Sequence, residues 1–200
     1  MRGAWLHLVG LIATLVVGVA LWPRHTPPPA PEFAAHDGEL LLQRRAPATP
    51  EQVLRARLMI PVEGVTRREL ADTWGDARSA GRQHQGIDIL APQGTRVQAV
   101  ADGRIVKFFD SVRGGVTIYQ FDQSERFVYY YAHLSARAAN LAEGDMVRQG
   151  ATIGYVGMTG NAPVPHLHFE IQRLRGTERR WWQADSMNPY PYLMSGAPPV

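Results

Sequence analysis

From Leu58 to the C-terminus, short runs of β-forming residues alternate with glycine and proline at intervals of about ten residues. Arg96–Val100, Gly103–Phe108, Gly115–Tyr119 and Phe127–His133 are four such runs. None carries the three-to-four-residue apolar period of a normal helix. Turn signals at that spacing favour an all-β chain: one mainly antiparallel sandwich or open barrel over residues 58–193, with 194–200 as a tail. The 45% hydrophobic and 20% charged fractions suit a folding domain of this size and exclude a largely disordered chain.

Ahead of this domain the texture differs. Ala4–Trp22 is a nineteen-residue apolar stretch with His7 as its only ionisable side chain. As a helix it spans about 28 Å, close to the hydrocarbon thickness of a bilayer. Trp5 and Trp22 bound it and Arg2 precedes it. Residues 1–23 therefore read as a membrane anchor, or as a signal peptide cleaved after Gly18-Val19-Ala20. Either one exports the β domain. Five prolines between Pro23 and Pro31 then form an extended spacer. Thr49-Pro50-Glu51-Gln52 carries the signature of a helix start, so residues 24–57 read as a Pro-rich linker and a short helical extension.

Seven histidines and no cysteine limit the chemistry further. There is no thiol nucleophile, no disulfide and no thiolate metal site, so any metal must be held by imidazole and carboxylate. The net charge of +3 comes from dispersed arginines, with Lys107 the single lysine. No concentrated basic stripe or nucleic-acid motif is present, and a nucleic-acid partner is not expected. A lipoyl- or biotinyl-carrier module is echoed in Gly144–Gly157, but Lys107 lies within a strand and not at an exposed hairpin tip.

Three segments concentrate the ligand-capable residues. His84 and Asp88 stand four apart in His84-Gln85-Gly86-Ile87-Asp88-Ile89, and extended chain presents both to one side. His166-Leu167-His168-Phe169-Glu170-Ile171 alternates strictly, with His166, His168 and Glu170 on one face and the apolar three on the other. Tyr129 to Leu134 delivers His133 at a strand end. Two histidines and a carboxylate on strands, with one position open, is the donor set of a catalytic zinc. Tyr129, Tyr131, Trp181 and Trp182 either line a groove or pack in the core, and packing is expected for at least half.

In combination these motifs resemble the lysostaphin-type (LytM-like) zinc metalloendopeptidases, which cut peptidoglycan cross-bridges. The likeness covers residues 58–193 and includes Pro61–Gly64, Trp74-Gly75, Gly94–Val97, Gly144–Val147, Gly157–Gly160 and Asn188-Pro189. Trp74 stands where the family commonly has Phe, and Ala162–Pro165 replaces a Ser/Gly-rich approach to His166. The resemblance implies that His84, Asp88 and His168 bind Zn2+. It gives His133 and His166 to catalysis beside a metal-bound water. Glu170, about 6.7 Å further along its strand face than His168, takes a supporting role. The implied function is hydrolysis of peptide cross-links in peptidoglycan, with stem-peptide D,D-bonds favoured. The protein would be tethered through residues 4–22 in the cytoplasmic membrane, with its domain in the periplasm. The alternative is a non-catalytic wall-binding module that activates another hydrolase.

Overall fold

Apolar side chains at every second position organise residues 57–200, the part that the computed structural model describes. The candidate anchor at 4–22, the Pro-rich spacer and the helix start at Thr49 lie outside these residues. Among the described residues no helix is long and apolar enough to cross a membrane.

Among the described residues twelve strands form three antiparallel sheets. The strands are β1 (Ala77–Arg78), β2 (Arg82–Gln83), β3 (Ile87–Leu90), β4 (Arg96–Gln98), β5 (Gly103–Ser111), β6 (Gly115–Asp122), β7 (Phe127–Leu134), β8 (Ala136–Arg137), β9 (Met146–Val147), β10 (Thr152–Tyr155), β11 (His166–Leu174) and β12 (Ala184–Met187). The one α-helix among the described residues, α1 (Tyr190–Ser195), is six residues long, closes the order and buries Leu193. The all-β expectation holds, and each of the four strand runs read from sequence is present.

The large sheet runs β12-β11-β7-β6-β5-β9, and β3 joins it by pairing with β11. One edge of β11 is thus shared end to end. β3 covers His166–Phe169 and β12 covers Ile171–Leu174. A smaller sheet, β4-β10-β8, contributes Val97 and Ile153 to the same core as Ile105, Ile118, Tyr131, Leu134, Leu167, Phe169 and Ile171 of the large sheet. Each fully buried aliphatic or aromatic side chain contributes about 1.5–3 kcal/mol. A one-residue slip of β11 would turn Leu167, Phe169 and Ile171 out of the core together, so its register is strongly specified. The opposite face of the large sheet is left for His168, Glu170, Asp88 and Tyr130. Tyr129 and Tyr131 belong to the core; Trp181 lies against Tyr119 with ring centroids 4.5 Å apart, and Trp182 is exposed.

Candidate metal centre

Register brings the first two candidate ligands together. In the β3–β11 ladder Asp88 lies directly opposite His168, while Ile87 and Ile89 point into the core. His84 reaches the same point from the turn before β3. Thr73 fastens both arms: its carbonyl accepts from His84 Nδ1 at 2.7 Å, and its hydroxyl accepts the Asp88 N–H at 3.0 Å. Gly86 lets this segment lie flat on β11, because a Cβ there would fall 2.5 Å from the Phe169 carbonyl oxygen and 2.9 Å from His168 Cε1.

The three donor atoms converge. His84 Nε2 is 2.8 Å from His168 Nδ1 and 3.0 Å from Asp88 Oδ1, and His168 Nδ1 is 3.2 Å from that same oxygen. Their outer contacts decide what they present to one another. A carbonyl can only accept, so His84 carries its proton on Nδ1, facing Thr73. His168 Nε2 donates to Glu170 Oε1 at 2.9 Å. In their neutral forms both rings therefore aim a lone pair at the Asp88 carboxylate oxygen. Three acceptors facing one another repel unless a cation or a proton lies between them. These residues fit a metal ion, and His84, Asp88 and His168 are a group able to hold one.

Without a metal, a proton does part of that work. Burial opposes a charge on His168, but hydrogen bonds to Asp88 and Glu170 outweigh it and hold its pKa up to about 9. Asp88 is half-buried, which also opposes its charge. Its bonds to His168 and His84 overcome that and push its carboxyl far below the usual range. Arg78 Nη2 donates to the other Asp88 oxygen at 2.6 Å. Glu170 is fully engaged, accepting from Gln172 Nε2 at 2.6 Å and Ser186 Oγ at 2.9 Å besides His168.

Two further histidines stand beside this group. His166 precedes His168 on the same face of β11, with Nε2 3.5 Å from Asp88 Oδ1. Its Nδ1 donates to the Val164 carbonyl at 2.8 Å. His133 arrives by a less regular route. By strand parity it belongs with Tyr129 and Tyr131, which face the core. The β6–β7 register slips between Val116–Leu134 and Ile118–Tyr131, leaving one extra residue in β7. At this bulge His133 adopts φ +61°, a left-handed conformation costing on the order of 1–2 kcal/mol in a residue other than glycine. The bulge lets Ala132 and His133 both line the site while Leu134 returns to the core. His133 Nδ1 donates to the Thr159 carbonyl at 2.9 Å. Its ring centroid lies 4.8 Å from that of His166 and 5.8 Å from that of His168. Burial lowers the His133 pKa to about 4, so the ring is neutral at pH 7 with Nε2 as its free acceptor.

All five residues singled out in the sequence, and Glu170, meet at one groove of about 1000 Å³. Trp74 and Ala162–Val164, the segments that depart from the family pattern, line its wall. Sequence reasoning missed Thr73, Arg78 and Tyr130. Tyr130 pairs with Glu170 across β7 and β11, and its ring lies 5.9 Å from His168. Its even position beside the core pair Tyr129 and Tyr131 was the available signal.

The family model described as Peptidase family M23 matches residues 82–189, more than half of the chain. The DD-carboxypeptidase/endopeptidase Mpg of Neisseria meningitidis serogroup B is 38% identical over 137 residues, covering 68% of this chain and 29% of that protein. This chain therefore spans under a third of that curated relative. The catalytic domain of lysostaphin from Staphylococcus simulans superposes with a TM-score of 0.53 at 30% identity, covering 64% of this chain and 94% of that one. LytU gives a TM-score of 0.51 at 28% identity, covering 62% and 83%.

Proposed function

Because the chain belongs to Peptidase family M23, we propose that it is a zinc metalloendopeptidase that hydrolyses peptide cross-links of peptidoglycan. The observation that carries this reading is the set of three converging donors with two fixed-tautomer histidines beside them. His84, Asp88 and His168 are the zinc ligands in this reading. Zinc bound there would supply a Lewis acid that lowers the pKa of bound water towards about 7.

The chain's own residues supply the proton traffic. His133 and His166 each give their Nδ1 proton to a backbone carbonyl, so each turns Nε2 towards the groove. A neutral His133 accepts a proton from the attacking water and returns it to the leaving amine. His166, adjacent to it, likewise presents Nε2 as an acceptor, and donates to the developing oxyanion once that nitrogen has taken up a proton. Glu170 keeps His168 in the ligating tautomer.

The favoured target is the D,D-bond between stem peptides. The name of the Neisseria relative supports this over a glycine bridge. We also assign the protein to the cell envelope, tethered through residues 4–22 with residues 58–193 in the periplasm, on the strength of the apolar stretch and the location of such a substrate. The complete ligand set argues against the non-catalytic alternative.

Incubating zinc-loaded protein with purified sacculi, with and without a chelator, tests the reading. Soluble cross-link products that disappear with the chelator are expected. Absence of release across sacculi of differing cross-link chemistry would overturn it.

A further inference from the structure

The groove is bordered by charges that this chemistry does not use. Its two acids are committed, Asp88 to Arg78 and the histidines, Glu170 to His168, Gln172 and Ser186. Three arginines line the groove: Arg78, Arg82 and Arg113. Arg78 is bound to Asp88, and Arg82 braces its own turn through the Ser79 carbonyl and hydroxyl. Arg113 is exposed and, among the described residues, pairs with no carboxylate.

Arg113 is also firmly placed. It belongs to the turn between β5 and β6, whose Gly114 carbonyl accepts the His133 N–H at 2.8 Å. Its own carbonyl accepts the Asn161 N–H at 3.0 Å. A Cβ at Gly114 would lie 2.4 Å from the Tyr130 hydroxyl, so the turn is pressed against the catalytic face. In the sheet β3 and β7 flank β11 on opposite sides. Arg78 therefore stands on the Asp88 side of the groove and Arg113 on the His133 side.

A D,D-bond has a chemical mark on its leaving side. The nitrogen released sits on a D-configured carbon that also bears a carboxyl group. At a D-alanyl-D-alanine end this is the chain terminus. In a cross-link made through the distal amine of a diamino diacid, it stays free. An interior glycyl-glycine bond has no such group, because the next carboxyl is already an amide.

We infer that Arg113 receives the carboxylate borne by the leaving residue, and so determines specificity for bonds whose amine side carries a free carboxylate. The inference rests on the cross-link reading above. An amine that leaves towards His133 brings the carboxylate on its own α-carbon to the Arg113 side of the groove. A guanidinium binds a carboxylate through two parallel N–H···O bonds, which a primary amide cannot reproduce. No covalent step involves Arg113, so it is a specificity residue.

Two synthetic stem-peptide dimers that differ only at that carboxylate, free in one and amidated in the other, test this with the zinc-loaded full-length protein. The wild type is expected to favour the free acid by about tenfold to a hundredfold in kcat/KM, the weight of one charged hydrogen-bonded contact. Arg113→Gln narrows the preference to within about twofold, and Arg113→Lys restores part of it. Equal use of the two dimers by the wild type, or an unchanged preference in Arg113→Gln, overturns the inference. Cleavage of neither dimer by the wild type defeats the cross-link reading instead. Calorimetric binding of the same two peptides then still decides Arg113. Tighter binding of the free acid to wild type, but not to Arg113→Gln, supports the assignment, and equal binding overturns it.

Discussion

Replacing Glu170 by Gln changes no volume and tests whether His168 ligates because its tautomer is imposed. Glu170 is 8% exposed and accepts three hydrogen bonds, from His168, Gln172 and Ser186. A glutamine has one accepting oxygen and one donating amide. With its oxygen towards His168, its NH2 meets the Gln172 donor head on, and an opposed buried donor costs about 1–3 kcal/mol. With the amide flipped, NH2 faces His168 Nε2, which must become the acceptor. The ring proton then moves to Nδ1, the ligating atom. Either arrangement weakens metal binding, and loss of such a partner typically costs 10–100-fold in affinity, about 1.4–2.7 kcal/mol. Equilibrium competition for Zn2+ against a chromophoric chelator measures this directly. Metal-free thermal melts show whether the fold persists. Zinc affinity within twofold of the wild type, in a folded Glu170→Gln protein, would refute the argument.

Metal binding at pH 7 should release at least one proton, because metal-free His168 is held up to about 9 and must lose its proton to ligate. Calorimetry in buffers of different ionisation enthalpy reads this number, and a value near zero at pH 7 would contradict it. The same shift makes the His168 contribution to metal-free stability complete below about pH 6.5 and lost as pH rises through 9. His133 has the opposite sign. Burial lowers its pKa to about 4, so its Cε1 proton resonance should titrate near pH 4, and metal-free stability should fall as pH drops from 6.5 to 4. A midpoint at or above 6 would show that the ring is not buried as described. His166→Ala should keep zinc and lose turnover by about 100-fold or more, whereas His168→Ala should lose both. Equal zinc loss in the two, measured by metal analysis after dialysis, would show the pair misassigned. Gly86→Ala should destabilise the fold by about 1–3 kcal/mol in denaturant melts, since its Cβ meets backbone and a ligand ring. An unchanged midpoint would mean that β3 can shift away from β11 at no cost.

What could be read from the chain alone was what depends on parity. His166, His168 and Glu170 share a face because they sit two apart on a strand whose other face supplies Leu167, Phe169 and Ile171 to the core. Long-range register was not readable. Nothing local places Asp88 opposite His168, or lets Thr73 fasten His84 and Asp88 from the preceding loop. Arg78 escaped notice for the same reason, since a lone arginine in a polar turn carries no sign that it will meet the second oxygen of Asp88.

His133 shows why parity fails at the site itself. Tyr131 and Leu134 are both fully buried, yet they are three apart, an odd spacing that a regular strand cannot direct to one side. The chain needs one surplus residue between them, and it appears as the bulge that turns His133 outward beside Ala132. The left-handed φ of His133 is therefore the geometric consequence of two core demands on either side of a position that lines the groove. The turn carrying Arg113 bonds to the backbone of this bulged residue through the Gly114 carbonyl. The irregularity that strand parity cannot foresee thus couples the proposed proton carrier to the proposed substrate-reading loop.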